Sequence, residues 1–209
     1  MLWSFLAVFF SGWLYVDASY RGPHWQRLLF KPLTLLLMIG MVWQTPTIGV
    51  PGYFVLLALT ATLIGDALVS LPEERLRWGL MAYALAHLFY TLTLFSSSLT
   101  LGFSSPLSLT LVLLASLLLT LLWRKLGRER LAVITLIIMT ALMVWTAGER
   151  YVWLANEANL SLLSGAVLLF AAHAIWLVNH FRFPFRAHRA LVAISYFGGH
   201  FLMVHSLYG

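Results

Sequence analysis

The sequence predicts an all-α fold, namely a polytopic integral membrane bundle of eight transmembrane helices with both termini on the non-cytoplasmic side. Hydrophobic residues make up 61% of the 209 residues and charged residues only 10%, whereas soluble domains contain roughly 25% charged residues. The apolar residues fall into eight runs, and basic residues cluster in alternate connections between them. No long polar stretch interrupts this pattern, so we expect residues 1–209 to form a single transmembrane domain.

Each apolar run is long enough to cross a bilayer, which takes about 20 apolar residues and at least about 17. We expect the first run to be a retained span and not a signal peptide, because no Lys or Arg precedes it and no small-residue cleavage pattern follows it. Pro32, Pro51 and Pro106 each fall in the first turn of a predicted helix, where proline costs no hydrogen bond. The predicted spans cover residues 2–20, 28–44, 51–71, 77–96, 105–123, 131–148, 160–179 and 189–208.

The basic residues give these spans a direction. Among the 13 Lys and Arg residues, only Arg150 lies in an even-numbered connection, and all the others lie in odd-numbered ones. By the positive-inside rule the odd-numbered connections are cytoplasmic, which predicts a multi-pass protein of the cell inner membrane. The net charge of +6 therefore reflects topology, and no nucleic-acid partner is predicted. The absence of cysteine excludes disulfides, thiol nucleophiles and cysteine-ligated metals.

One carboxylate lies inside an apolar run. Asp66 is part of the third run, which extends from Tyr53 to Leu71. An acidic residue at membrane depth costs roughly 2.5–3.5 kcal/mol on insertion scales and is rare unless it has a function. Gly65 precedes it and allows another backbone to approach. Asp66 is therefore the first candidate for a functional residue.

Other polar side chains are predicted at a similar depth, judged from the helical rise of about 1.5 Å per residue. Most would lie in the cytoplasmic half of the membrane and would line a shared polar cavity. They are Asp17, Lys31, His87, Tyr90, His173, Ser195, Tyr196 and His200. Simpler interpretations exist, because Asp17 and Lys31 are close enough to the interface to snorkel into water. Lys31 can also be a structural ion-pair partner of Asp66, and a single buried His or Tyr often only joins two helices by a hydrogen bond.

Four short motifs, in this order and spacing, resemble those of a known family. Lys31-Pro32 opens the second run, Gly65-Asp66 ends the third, His87-x-x-Tyr90 lies in the fourth, and Gly165-Ala166-x-x-x-Phe170 lies in the seventh. Together they resemble the YhhN-like lysoplasmalogenases over essentially the whole chain. The resemblance implies an eight-helix fold and hydrolysis of the vinyl ether bond of a lysophospholipid to a fatty aldehyde and a glycerophospho-head group.

The family's carboxylates in the third and seventh spans are taken to be catalytic. Asp66 corresponds to the first of them. Where the family usually has Ser-Asp after the seventh-span motif, this chain reads Ala171-Ala172-His173. His173 therefore stands at the place of the second acid.

The chemistry of an enol ether explains why such groups are needed. Protonation of the outer alkene carbon gives an oxocarbenium-like cation, water adds to the carbon bearing oxygen, and the hemiacetal collapses. A carboxyl group in a low-dielectric site has a raised pKa and can supply the proton. We therefore predict Asp66 as general acid and His173 as water-activating base. If Lys31 contacts Asp66 directly, Asp66 becomes a poorer acid and a better base or cation stabiliser.

The remaining candidates are predicted to bind or position the lysophospholipid substrate. They are Lys31, His87, Tyr90, Ser195, Tyr196 and His200, with Arg27 and Arg75 available to hold an anionic phosphate. No cofactor and no protein partner is predicted, and membrane lipids are the other expected contacts.

Two alternative functions remain at this stage. The first is a metal-dependent intramembrane hydrolase with Zn²⁺ held by His87, His173, His200 and Asp66, although no closely spaced ligand pair is present. The second is a non-catalytic protein that binds or translocates lipid, which the missing second acid favours. A proton relay through Asp66 and the histidines belongs to this second class.

Overall fold

The structure is a computed structural model that describes residues 2–46, 48–95 and 105–208. Over these residues all regular secondary structure is helical and there is no strand, which confirms the predicted all-α class for the described part. The α-helices are α1 (Leu2–Tyr20), α2 (His24–Trp43), α3 (Val50–Val69), α4 (Leu76–Phe95), α5 (Ser105–Leu122), α6 (Arg130–Trp153), α7 (Glu157–Phe181) and α8 (His188–His205). Short 3-10 turns occupy Glu73–Arg75, Trp123–Lys125, Gly127–Glu129 and Ser206–Tyr208. Position 96, the last residue of the predicted fourth span, lies outside the described residues.

Seven of these helices, α2 to α8, are long and apolar enough to cross a membrane, judged by length and composition. The helix α1 is not among the seven found in the described residues. The predicted first span, residues 2–20, and with it the total of eight spans, therefore stays a prediction, and so does the predicted side of the two termini. Pro51 and Pro106 each occupy the second position of a helix, as predicted.

The predicted start of the second helix is wrong. The helix α2 begins at His24, directly after Pro23 in extended conformation, so that Lys31 and Pro32 lie in its interior and not in its first turn. Pro32 has no N–H to donate to the Leu28 carbonyl, a loss that membrane bundles tolerate when neighbouring groups compensate. The residues between Pro23 and Leu28 are mostly polar and form the first turn of α2. A pattern of apolar runs does not distinguish such a polar helical turn from a loop.

The predicted end of the sixth helix is also too early. The helix α6 continues through Gly148 to Trp153. Arg150 explains the extension, because its side chain donates to Asn159 Oδ1 (2.7 Å) and to the Leu94 carbonyl (2.9 Å). These bonds tie the last turns of α6 to α4 and α7.

Glycines bring two pairs of helices into close backbone contact. A Cβ on Gly65 would lie 2.7 Å from the Tyr83 ring and 3.2 Å from the Gly79 carbonyl oxygen, so α3 and α4 approach more closely than side chains would allow. Similarly, a Cβ on Gly165 would lie 2.9 Å from the Gly199 carbonyl oxygen, which brings α7 against α8. Small residues of this kind are the usual means of close helix packing in membranes. The α3–α4 and α7–α8 pairs are the frame of the site described below.

Candidate functional site

The carboxylate of Asp66 is surrounded by three donors from three other helices. Lys31 Nζ on α2 lies 2.6 Å from Asp66 Oδ1, and Tyr83 on α4 donates its hydroxyl to the same oxygen at 2.5 Å. Tyr196 on α8 donates to Oδ2 at 2.7 Å. The side chain of Asp66 is 7% exposed and that of Lys31 is 26% exposed. Asp66 therefore points into the bundle and joins four helices.

The local sequence explains how these groups meet. The close contact of Gly65 with Gly79 brings α3 against α4, and Tyr83, one turn after Gly79, lies against Asp66. Pro32 follows Lys31 in the interior of α2. The Lys31 ammonium also lies 5.0 Å from the centre of the Tyr196 ring, where a cation is attracted by the aromatic face.

Within the described residues, every side chain that contacts the Asp66 carboxylate is a donor. A cation and two phenolic hydroxyls contact its two oxygens, and charge-assisted hydrogen bonds of this kind hold a carboxylate in a fixed position. The sequence left two roles for Asp66, and direct contact with Lys31 favours the second, that of a base or cation stabiliser. Lys31 and Asp66 form one ion pair at this centre.

His173 on α7 extends the polar centre. Its ring lies 5.2 Å from the Tyr83 ring and 4.7 Å from the His87 ring, at steep angles to both. Its Nδ1 lies 2.9 Å from the Leu169 carbonyl oxygen. Because a carbonyl oxygen only accepts, Nδ1 carries the hydrogen, and Nε2 of the neutral ring is an acceptor. Nε2 is therefore the nitrogen of His173 that can accept a hydrogen bond or a proton.

Further buried rings belong to His87, Tyr90 and His200. His200 on α8 is hydrogen-bonded to the Tyr90 hydroxyl through Nδ1 (2.8 Å), and its ring lies 4.6 Å from the Tyr196 ring. Within the described residues, His87 has no hydrogen-bonding partner at either nitrogen, and His200 Nε2 has none. His87 is 1% exposed and His200 is fully buried. In one part of the polar core, both carboxylate oxygens of Asp66 therefore have hydrogen-bonding partners. In the other part, both nitrogens of His87 and Nε2 of His200 have none within the described residues.

A small cavity, here called the central cavity, adjoins the Asp66 centre. Its volume is about 30 Å³, enough to hold a water molecule. Asp66 itself does not line this cavity, whereas its three donors and His173 all do. The lining residues are Lys31, Tyr83, Ala172, His173, Trp176, Val192 and Tyr196.

The structure brings most of the predicted site residues together. Lys31 and Tyr196 are in direct contact with Asp66. The other predicted residues form two pairs beside them, His87 with His173 and Tyr90 with His200. Ser195, by contrast, is only half-buried on α8, and no hydrogen bond joins it to this set within the described part of the chain. Asp17 and Arg75 are exposed, and Arg27 is half-buried.

Tyr83 was missed by the sequence analysis, although it makes the shortest hydrogen bond to Asp66. A signal was present, because Tyr83, His87 and Tyr90 follow one another at intervals of four and three residues. That spacing places them on one face of α4. Extending the His87-x-x-Tyr90 pattern by one turn would have found it.

The described residues contain no group of three or more His, Cys, Asp or Glu side chains placed to hold a metal ion. His87 and His173 contact each other edge to face, whereas His200 makes its edge-to-face contact with Tyr196. The zinc-hydrolase alternative therefore has no geometric support in the described part of the chain.

Comparison with known proteins places the chain in a family. The sequence model of the YhhN family matches residues 26–207. Proteins named "Uncharacterized membrane protein YhhN" from Escherichia coli O6:H1, Escherichia coli O157:H7 and Shigella flexneri are each 50% identical to it over 208 residues, covering 100% of both chains. No solved structure matches it. The predicted family is thus confirmed: this chain belongs to the YhhN family of membrane proteins.

Proposed function

We propose that this YhhN-family protein is a lipid hydrolase resembling the lysoplasmalogenases, embedded in the bacterial inner membrane. It would cleave the vinyl ether bond of a lysophospholipid to a fatty aldehyde and a glycerophospho-head group by acid–base catalysis. The observation that carries the proposal is the juxtaposition of an ion pair, Lys31–Asp66, with an oriented base, His173, around one cavity.

In the first step the Lys31–Asp66 pair supplies the proton. Lys31 Nζ lines the central cavity and transfers a proton to the outer alkene carbon. The pair then carries one net negative charge, and the substrate becomes an oxocarbenium-like cation. The carboxylate of Asp66, held in place by Tyr83 and Tyr196, stabilises that cation from a fixed position, which is where preorganised electrostatics contribute most.

In the second step water adds to the carbon bearing oxygen while His173 Nε2 accepts a proton from it. The hemiacetal collapses to the aldehyde and the alcohol, and the proton on His173 returns to the Lys31–Asp66 pair through the cavity. The number of protons on the protein is therefore unchanged after one cycle. The base is positioned by the bond from His173 Nδ1–H to Leu169, and general bases of this kind contribute roughly 10²–10⁴-fold to rates.

The substrate needs more room than the central cavity offers. A volume of about 30 Å³ holds water but not a vinyl ether chain. Trp176 and Val192, both half-buried, form part of the wall, and the proposal requires that this wall opens. Arg27 lies one turn before Lys31 on α2 and has a buried Nε without a hydrogen-bonding partner within the described residues, which suits an anionic phosphate.

The test is a product assay with purified protein in detergent. A lysoplasmalogen is compared with an ester lysophospholipid of the same head group, and free aldehyde is measured. We expect aldehyde only from the vinyl ether, and a loss of roughly 10²–10⁴-fold in Asp66→Asn. Asp17→Asn is the matched control, because it removes an exposed carboxylate of α1. Unchanged turnover in Asp66→Asn would reject the proposal.

A second candidate function is lipid binding or translocation without catalysis. It is favoured by the saturation of Asp66, since all three of its partners come from the protein. Such an ion pair can hold four helices together and do nothing more. Co-purified lipid, with no aldehyde after long incubation of the wild-type protein, would support this candidate over the hydrolase.

A further inference from the structure

A long groove lies between α5 and α6, remote from the Asp66 centre. It has a volume of about 490 Å³ and shares no lining residue with the central cavity. We call it the α5–α6 groove. It is lined by Ser108, Leu111, Val112, Ala115, Ser116, Leu119, Ile134, Ile137, Ile138, Ala141, Leu142 and Trp145.

The groove has the length of one acyl chain in a leaflet. On α5 it extends from Ser108 to Leu119, which corresponds to roughly 17 Å along a helix. One leaflet of a bilayer contributes about half of the roughly 30 Å hydrocarbon core. Beside the groove, the large side chains Leu109, Leu113 and Leu117 of α5 are each more than 60% exposed, so the helix presents this region to lipid tails.

The groove leads into a basic pocket. This pocket, with a volume of about 900 Å³, is lined by Leu119, Thr120, Leu121, Trp123, Arg124, Lys125 and Arg182. Leu119 lines both the groove and the basic pocket, so the two adjoin each other at this residue. The three cations are exposed, and none is in an ion pair with a carboxylate within the described residues.

Because an apolar groove adjoins an exposed basic pocket, we propose that the α5–α6 groove and the basic pocket together bind one anionic phospholipid of the membrane. The phosphate contacts Arg124, Lys125 and Arg182, and one acyl chain fills the groove. Basic pockets at the ends of transmembrane helices on the predicted cytoplasmic side are suited to such head groups. Because α5 packs mainly against α6 and is largely exposed, the lipid completes the contact between α5 and the bundle.

The first test measures lipid binding to delipidated protein in a neutral detergent by native mass spectrometry. Phosphatidylglycerol is compared with phosphatidylcholine of the same acyl chains, and with glycerophosphoglycerol, which has the head group without the chains. We expect one tightly bound phosphatidylglycerol and much weaker binding of the other two. Equal binding of phosphatidylcholine would contradict the role of the cations, and equal binding of glycerophosphoglycerol would contradict the role of the groove.

The second test removes charge from the pocket. Arg124→Gln/Lys125→Gln is expected to weaken phosphatidylglycerol binding by roughly thirtyfold, from the loss of two cations near the membrane surface. The matched control is Arg21→Gln/Arg77→Gln, which removes two exposed cations that line neither the groove nor the basic pocket. Equal weakening in both variants would show only a general charge effect and would overturn the proposal.

The third test fills the groove. Ala115 lines it, and Ala115→Phe is expected to weaken phosphatidylglycerol binding by about tenfold because the acyl chain loses apolar contact. Leu117→Phe places the same ring on the exposed face of the same helix and is expected to leave binding unchanged. If Ala115→Phe does not fold, the charge-removal pair still decides the outcome, since its residues are exposed. Unchanged binding in a folded Ala115→Phe would overturn the proposal.

Discussion

The two parts of the polar core differ in how their polar atoms are used. Around Asp66 both carboxylate oxygens have partners, supplied by Lys31, Tyr83 and Tyr196. One turn after Tyr83 on α4, neither ring nitrogen of His87 makes a hydrogen bond of normal geometry within the described residues, although His87 is almost completely buried. A buried polar atom without a partner costs roughly 1–3 kcal/mol. The first part therefore stabilises the bundle, whereas the second is kept at a cost in stability.

This difference matters for the proposed chemistry. A saturated carboxylate is held rigidly and suits electrostatic stabilisation. Unpartnered histidine nitrogens remain available for water or protons. The comparison predicts opposite responses to mutation in the two parts, and four measurements test it.

The largest effect is expected from breaking the ion pair. Asp66→Leu leaves Lys31 without its anion, and loss of one member of a buried pair typically costs roughly 3–5 kcal/mol. The double variant Lys31→Met/Asp66→Leu removes both charges and is expected to be more stable than Asp66→Leu alone. Thermal unfolding in detergent measures both. A double variant less stable than the single one would show that Lys31 does not need Asp66.

A smaller loss is expected when the hydroxyls are removed one at a time. Tyr83→Phe and Tyr196→Phe each delete a hydrogen bond to a charged group, worth roughly 1.5–3 kcal/mol. Tyr53→Phe is the control, since Tyr53 is 55% exposed on the same bundle. If all three variants unfold at the same temperature, the two hydroxyls do not hold the carboxylate.

A comparable or slightly smaller loss is expected from separating α3 and α4. Gly65→Ala places a methyl group 2.7 Å from the Tyr83 ring, and overpacking of this kind costs roughly 1–3 kcal/mol. Gly40→Ala is the matched control, because a Cβ there meets nothing within 4 Å. Both stabilities are compared by thermal unfolding, and equal values would mean that the close approach is not needed.

The smallest effect is expected in the second part of the core. His87→Leu removes two unpartnered nitrogens and introduces an apolar side chain of similar size, so we expect no loss of stability beyond about 1 kcal/mol. Thermal unfolding again provides the measurement. A loss as large as that of Tyr83→Phe would contradict the distinction between the two parts.

The sequence predicted the helices of the fold better than their ends. Apolar runs mark the hydrocarbon-spanning part of a helix, so α3 and α7 were found within a few residues. The start of α2 was missed because its first turn contains His24, Gln26 and Arg27, which are polar at an interface. The extension of α6 depends on the bonds of Arg150 to α4 and α7, which lie in other helices and leave no mark in the local pattern.

The candidate site was predicted for its charged members and less well for its neighbours. Asp66 and Lys31 stand out because charge is rare in apolar sequence. Hydropathy does not show which face of an almost uniformly apolar helix is turned towards the site. Adjacent residues on a helix point about 100° apart, so the choice of face decides which of two neighbours reaches the site. The sequence therefore did not distinguish Ser195 from Tyr196, of which only Tyr196 binds Asp66. For Tyr83 the side-chain type alone gave no warning, since tyrosine is common in membrane helices.

The glycine contacts bear on how the molecule can open. The backbones of α3 and α4 approach closely at Gly65 and Gly79, and those of α7 and α8 at Gly165 and Gly199, so we expect each pair to move as one rigid body. Trp176 and Val192 belong to one pair, and Tyr83 and Asp66 belong to the other. Widening the passage between the pairs would stretch the Tyr196–Asp66 bond and leave the Tyr83–Asp66 bond intact. Under the proposed function, an incoming lipid would then meet an Asp66 that has lost one of its three donors.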